Sequence, residues 1–189
     1  RRVESLLGHF KRCPQFSDYP MLASADAVFG FACGYRMKKW SNAPTSEAEV
    51  KANRLPGANN AVLAQQAHLL HLEHKLDLYL QFEIALALSA DTAIAFTSSP
   101  KNLGTKDVAR EFLAHAESIG KKLSKVIVVA HRYHFERCRL LLQGMGISGV
   151  PTRDQYSGFD PLESQPRAMS AEEMIVNDFA SMAGMAPDA

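Results

Sequence analysis

The stretch "KVIVVAHRYHFERCRLLL", Lys125 to Leu142, brings His131, His134 and Arg137 within seven positions of one another. Histidine titrates near neutrality and serves as acid or base, so His131 and His134 are candidate catalytic groups. Arginine binds carboxylate or phosphate through two parallel hydrogen bonds, which makes Arg137 a candidate anion ligand. His134 and Arg137 stand three residues apart and so share one side of a helix. Such a group at a helix N-terminus, where backbone N–H groups and the helix dipole favour negative charge, points to an anionic ligand. The competing reading is the polar end of a buried strand followed by solvated side chains.

A second group of candidates lies in "FACGYRMKKW" and "NRLPGANN". Gly34 and Gly57 let backbone approach a ligand closely, Arg36 and Arg54 supply positive charge, and Tyr35 and Asn60 add polar contacts. This is neither a Walker loop nor a G-x-G-x-x-G fingerprint, so the spacing alone does not specify a nucleotide. Thr105, in "SSPKNLGTKD", stands between a strand and a helix, another position suited to phosphate or carboxylate. Glu83, in "YLQFEIALAL", is an acid in an apolar neighbourhood; burial would raise its pKa, and a partner such as Arg137 would lower it. His68, His71 and His74 drift around a helix at about 100° per residue and lack a further ligand at a familiar spacing, so no metal site is expected. Cys33 and Cys138 read as small core residues.

Positioning these groups requires strands that end where the polar residues begin. "ADAVFGFACG" reads as a first strand, Ala25 to Gly34, followed by a long polar loop over 35–59. "NNAVLAQQAHLLHLEHK" has helical spacing, with Asn59 or Asn60 as its cap. "LDLYLQ" is a short strand ahead of a helix from about Phe82 to Leu88, or else both form one longer helix. "TAIAFTSS" is another strand. Thr105 caps the helix "KDVAREFLAHAESIG", which stops at Gly120. "KVIVVA" is β-branched and continuously apolar, as a strand buried on both faces should be. "YHFERCRLLLQGMG" is the next helix, "GISGVPTRD" holds a last strand, and "AEEMIVNDFASMAG" is a final helix capped by Ser170. This alternation specifies a three-layer α/β/α sandwich with a mainly parallel sheet in one domain, 25–189, preceded by an N-terminal helix and lead-in over 1–24. Ligands in such sheets bind beyond the carboxyl ends of the strands, where His131 should fall.

Composition bounds the partners. The 189 residues carry 21 Lys+Arg and 20 Asp+Glu, a formal charge of +1, so nothing global attracts nucleic acid or an anionic membrane. Attraction for anions must be local. Three scattered cysteines favour a reducing, cytoplasmic setting over a disulfide framework. No apolar run approaches the roughly 20 residues needed to cross a bilayer. The chain begins without Met, as a processed or trimmed chain does.

Four segments in order, "ADAVFGFACGY", "RLPGANNAVLA", "LYLQFEIALAL" and above all "VIVVAHRYHFERCRLLL", resemble the YdcF-like family, a domain of unknown function that includes SanA- and ElyC-type envelope-related proteins. The strand followed by His, then a second His and Arg in the next helix, maps onto His131, His134 and Arg137. The late segment "RDQYSGFDPLESQPRAMSAEEM" also fits. The chain departs from the family's Ser-x-Asn-Thr-x-Glu-Asn-like segment, which appears here as "NLGTKDV": Thr105 and Asp107 are retained and Val108 replaces the Asn. The resemblance implies a Rossmann-like fold with a pocket at the strand carboxyl ends and S-adenosylmethionine as a candidate ligand. It attaches no reaction to the family as a whole. The expectations are a binder of an anionic or nucleotide-like small molecule, a hydrolase or transferase acting on a phosphorylated substrate with His as acid or base, or a non-catalytic regulatory or scaffold module.

Overall fold

The structure, a computed structural model, describes residues 24–37, 46–101, 103–152, 158–160, 162 and 170–182. The expected N-terminal helix, the loop tip at 38–45 and most of the late polar segment lie outside the described residues.

In chain order the elements are β1 (Ala27–Gly30), β2 (Arg36–Met37), α1 (Glu47–Asn53), β3 (Arg54–Leu55), α2 (Gly57–His74), β4 (Asp77–Leu80), α3 (Phe82–Ala85), β5 (Phe96–Thr97), α4 (Thr105–Ser118), β6 (Lys125–Val129), α5 (Arg132–Gly144), β7 (Ser148–Pro151) and α6 (Ala171–Met182). Five strands form one sheet in the order β5-β4-β1-β6-β7, and all of its pairings are parallel. Numbered by appearance within that sheet, the order is 3-2-1-4-5. This is a single-domain α/β Rossmann-like fold, as the strand–helix alternation predicts. β2 and β3 pair separately as a short antiparallel ribbon, Arg36 opposite Leu55 and Met37 opposite Arg54.

The central strands are apolar throughout because both of their faces are covered. Side chains alternate between two cores: Ala27, Phe29, Val126 and Val128 pack with Val108 and Phe112 of α4 and Phe135 and Leu142 of α5. Val28, Ile127 and Val129 pack with Leu63, Ala64 and Ala67 of α2, Ile84 of α3 and Met174 of α6. Two core clusters on opposite sides of one sheet give the three layers. A Cβ at Gly30 would lie 2.7 Å from Leu80 Cδ2 and 3.1 Å from Ile84 Cδ1, so the side chains of β4 and α3 pack directly against its backbone.

Several boundaries differ from the sequence expectation. The first strand is shorter than Ala25–Gly34, and the strand expected in "TAIAFTSS" shrinks to Phe96–Thr97, the last strand on its side of the sheet among the described residues. Strand β4 and helix α3 are separate, which excludes one continuous helix. The polar stretch 35–59 is not featureless: it holds β2, α1 and β3. Asn59 and Asn60 do not cap α2, which starts at Gly57 after Pro56, and Thr105 is the first residue of α4, with Gly104 at its cap. Ser170 does cap α6, its Oγ accepting from Glu173 N–H at 3.2 Å.

Candidate functional site

The chain leaves β1 toward β4 and β5 on one side and returns to β6 and β7 on the other, so the topological switch point lies between β1 and β6. In sheets of this order a crevice opens there, outside the carboxyl ends. The buried polar and charged side chains of the described residues gather on the segments that follow those ends, or reach them from α6. Burying such groups is costly unless they are paired, so their convergence marks this edge as the candidate site.

His131 follows β6 and is fully buried. It caps α5, an unusual cap residue: its Nδ1 accepts from Tyr133 N–H at 3.4 Å, and Nε2–H donates to the Gly158 carbonyl at 2.8 Å. The partners fix the tautomer. Its ring lies against those of Phe159 and Tyr133, with centroids 4.9 and 5.7 Å away. Burial disfavours the charged form and lowers the pKa to about 4, despite the Gly158 carbonyl. His131 is therefore neutral at pH 7.

His134, one turn further on, behaves in the opposite way. Its Nδ1–H donates to Asp178 Oδ2 at 3.0 Å, and Nε2 faces Thr105 Oγ1 at 3.4 Å. Burial opposes its charge, but Cys138 and Asp178 outweigh that and raise the pKa to about 10. Arg137 Nη1 donates to the other Asp178 oxygen at 3.2 Å. Burial likewise works against the Asp178 charge, and His134 and Arg137 prevail, holding the carboxyl below its ordinary range. His134 and Arg137 thus share a helix side, as their spacing predicts, and neither is solvated. One carboxylate from α6 joins them, and the resulting line runs Asp178–His134–Thr105.

The second cluster is drawn together around the β2–β3 ribbon. Asn60 pins the loop after β1: its Oδ1 accepts from Cys33 N–H at 2.8 Å, while Nδ2 donates to the Gly34 and Pro56 carbonyls at 2.8 and 2.6 Å. Gly34 and Gly57 have φ of 67° and 69°, the left-handed region that favours glycine. Arg36 Nε and Nη2 hold Asp160 at 2.7 and 2.5 Å, and Asp160 Oδ2 also accepts from Ala58 N–H at 3.0 Å in the first turn of α2. The Arg36 guanidinium, with the backbone N–H groups, lowers the Asp160 pKa to about 2. A carboxylate of the chain itself therefore occupies the N-terminus of α2. The partner of Glu83 is Arg54, not Arg137: Arg54 Nη1 donates to Glu83 Oε1, with the guanidinium carbon 4.1 Å from the centre of the Tyr35 ring. Burial raises the Glu83 pKa, and Arg54 offsets only part of that.

Sequence reasoning missed Asp160 and Asp178, the carboxylates that organise both clusters. The signal for Asp178 was an acid inside the apolar run "MIVNDFA"; Asp160 in "GFDP" carried none. Two surface hollows, of about 380 and 390 Å³, lie elsewhere, lined respectively by Leu113, Glu117 and Lys121 and by Arg139, Gln143 and Ser148. Among the described residues no cluster of three His, Cys, Asp or Glu is placed to hold a metal ion, and no helix is long and apolar enough to cross a membrane. No family model, curated protein or solved structure matches the chain.

Proposed function

We propose that the chain binds a small anionic or nucleotide-like molecule at the carboxyl edge of the sheet. The observation that carries this reading is His134, kept charged by Cys138 and Asp178 and turned toward the Thr105 hydroxyl at the first turn of α4. A cation, a hydroxyl and a helix N-terminus are three complements to phosphate or carboxylate in one place. Arg137 supports the arrangement by sharing Asp178. The resemblance to the YdcF-like family adds S-adenosylmethionine to the ligands worth testing.

The test is thermal stabilisation by inorganic phosphate, nucleotides and S-adenosylmethionine. A ligand at a hundred times its Kd stabilises by about 2.7 kcal/mol, a readily measured rise in Tm. Thr105→Val, which removes the hydroxyl with little change of volume, should diminish that rise. If no member of the panel shifts Tm at millimolar concentration, the reading fails.

The Asp178–His134–Thr105 line favours a second reading, group transfer or hydrolysis on a phosphorylated substrate. In that case His134 is the general acid, because it carries its proton at pH 7, and Asp178 orients it. His131 is unsuited, being neutral with both ring nitrogens engaged. Turnover on a phosphoester panel that falls in His134→Gln and persists in His131→Asn would support this reading, and the opposite pattern would defeat it.

A further inference from the structure

The C-terminal end of α4 borders the hollow of about 380 Å³, a volume at the low end of the range for small-molecule sites. Leu113, Ala116, Glu117 and Gly120 line it, and their spacing of three, four and seven positions puts them on one side of the helix and its end. Gly120, with φ of 73°, makes the left-handed turn that ends many helices, and Lys121, Lys122 and Leu123 beyond it complete the lining. A Cβ at Gly120 would meet nothing within 4 Å, so open space reaches the backbone there. The hollow lies where α4 hands the chain to β6, at the amino end of the sheet.

The lining narrows the occupant. Ala116 is buried, and Leu113 and Leu123 are half-buried against the core beneath α4, which gives the hollow an apolar part. Lys121 is engaged by Asp77. Glu117 and Lys122 are exposed and have no ion-pair partner among the described residues. The negative end of the α4 dipole adds to Glu117 in favouring a cation. One unmatched anion, one unmatched cation and apolar surface between complement a small zwitterion with an apolar tail, whereas a plain carboxylate or amine leaves one charge unmatched.

We propose that this hollow binds a free aliphatic α-amino acid, its ammonium at Glu117 and the end of α4, its carboxylate at Lys122 and its side chain on Leu113, Ala116 and Leu123. The site is separate from the carboxyl edge and stands or falls independently of the ligand proposed there. Its charges stay hydrated, so binding is weak, with a Kd on the order of 1 mM.

Titration of the whole chain with L-leucine, followed by amide NMR, tests the proposal. The amides of Gly120, Lys121 and Lys122 should shift and saturate. N-acetyl-L-leucine lacks the ammonium and L-leucinamide lacks the carboxylate, so each should bind about three- to fivefold more weakly, the worth of one exposed ion pair. Glu117→Gln should abolish the preference over N-acetyl-L-leucine, and Lys122→Gln the preference over L-leucinamide. Both replace exposed side chains, so the fold should survive, and the comparison of the three compounds on the wild-type chain stands without them. Equal affinity for L-leucine and either analogue overturns the zwitterion assignment, and a preference that persists in its variant overturns the role of that residue. Shifts confined to residues outside the hollow overturn the site, as does the lack of any shift at about 20 mM L-leucine, well above the expected Kd.

Discussion

The two ends of the sheet use the same kinds of side chain in opposite ways. At the amino end, Asp26 accepts from Ser124 N–H, Ser124 Oγ and Lys125 N–H at 2.6, 3.0 and 2.8 Å, and Lys121 pairs with Asp77, all at exposed or half-exposed positions. At the carboxyl end, His134, Arg137 and Asp178 meet inside the fold, as do Arg54 and Glu83. Water solvates the first set whether or not its pairs form, so those contacts tidy strand ends at little cost. The second set gives up water and depends on its partners. A fold that needed only stability would fill such positions with apolar residues, so the expense at one end is the physical reason to look there for function.

The sharpest way to break that contrast is Asp178→Ala. It leaves His134 and Arg137 buried without their shared counter-ion, and the loss should be about 3–5 kcal/mol in urea denaturation. A loss under about 1 kcal/mol would mean that the carboxyl-edge pairs behave like surface pairs.

Titration sharpens the same comparison within one helix. The folded pKa of His131, about 4, lies below its ordinary 6.5, so its contribution to stability is present above pH 6.5 and is lost as pH falls from there toward 4. Linkage puts that loss at about 3 kcal/mol, and His131→Asn should remove the slope. His134, raised to about 10, runs the other way: its contribution is complete below pH 6.5 and disappears as pH rises through 10. Thermal melts across this range, with imidazole proton shifts followed by NMR, check both. A single shared pKa near 6.5 for the two rings would defeat the distinction.

The elements were legible in the sequence to the extent that their pattern was local. The β-branched run Val126 to Val129 announced a buried strand, and its polar end placed His131 at the ligand edge. That His131 caps α5 was not legible, because the usual cap residues are Ser, Thr, Asp and Asn. Pairing was legible least. Glu83 announced itself as a buried acid, but Arg54 is 29 residues away, and Asp178 is 44 residues from His134. Those partners are chosen by how the ribbon and α6 dock, which no local spacing encodes. The strand β5 shrank for a related reason: among the described residues it pairs on one side only, and such a strand is not held along its whole apolar run.

Gly30→Ala probes the carboxyl end through packing rather than charge. The added methyl would meet Leu80 and Ile84, both fully buried and with little room to yield. Overpacking of this kind costs about 1–3 kcal/mol. Because Glu83 lies between those two residues in sequence, the variant should also weaken any ligand that depends on Glu83. Stability lost with ligand affinity unchanged would separate the strand end from the ligand site.

The smallest effect is expected at the amino end, and it completes the comparison. Asp77→Asn removes the charge partner of Lys121, whose side chain is 48% exposed while that of Asp77 is 36% exposed. Both groups remain hydrated in the variant, and exposed pairs are worth under about 1 kcal/mol and are screened by salt. Urea denaturation should therefore show a loss below 1 kcal/mol that shrinks further as ionic strength rises. A loss comparable to that of Asp178→Ala would mean that burial does not set the energetic difference between the two ends, and the placement of the site by its buried polar groups would lose its physical basis.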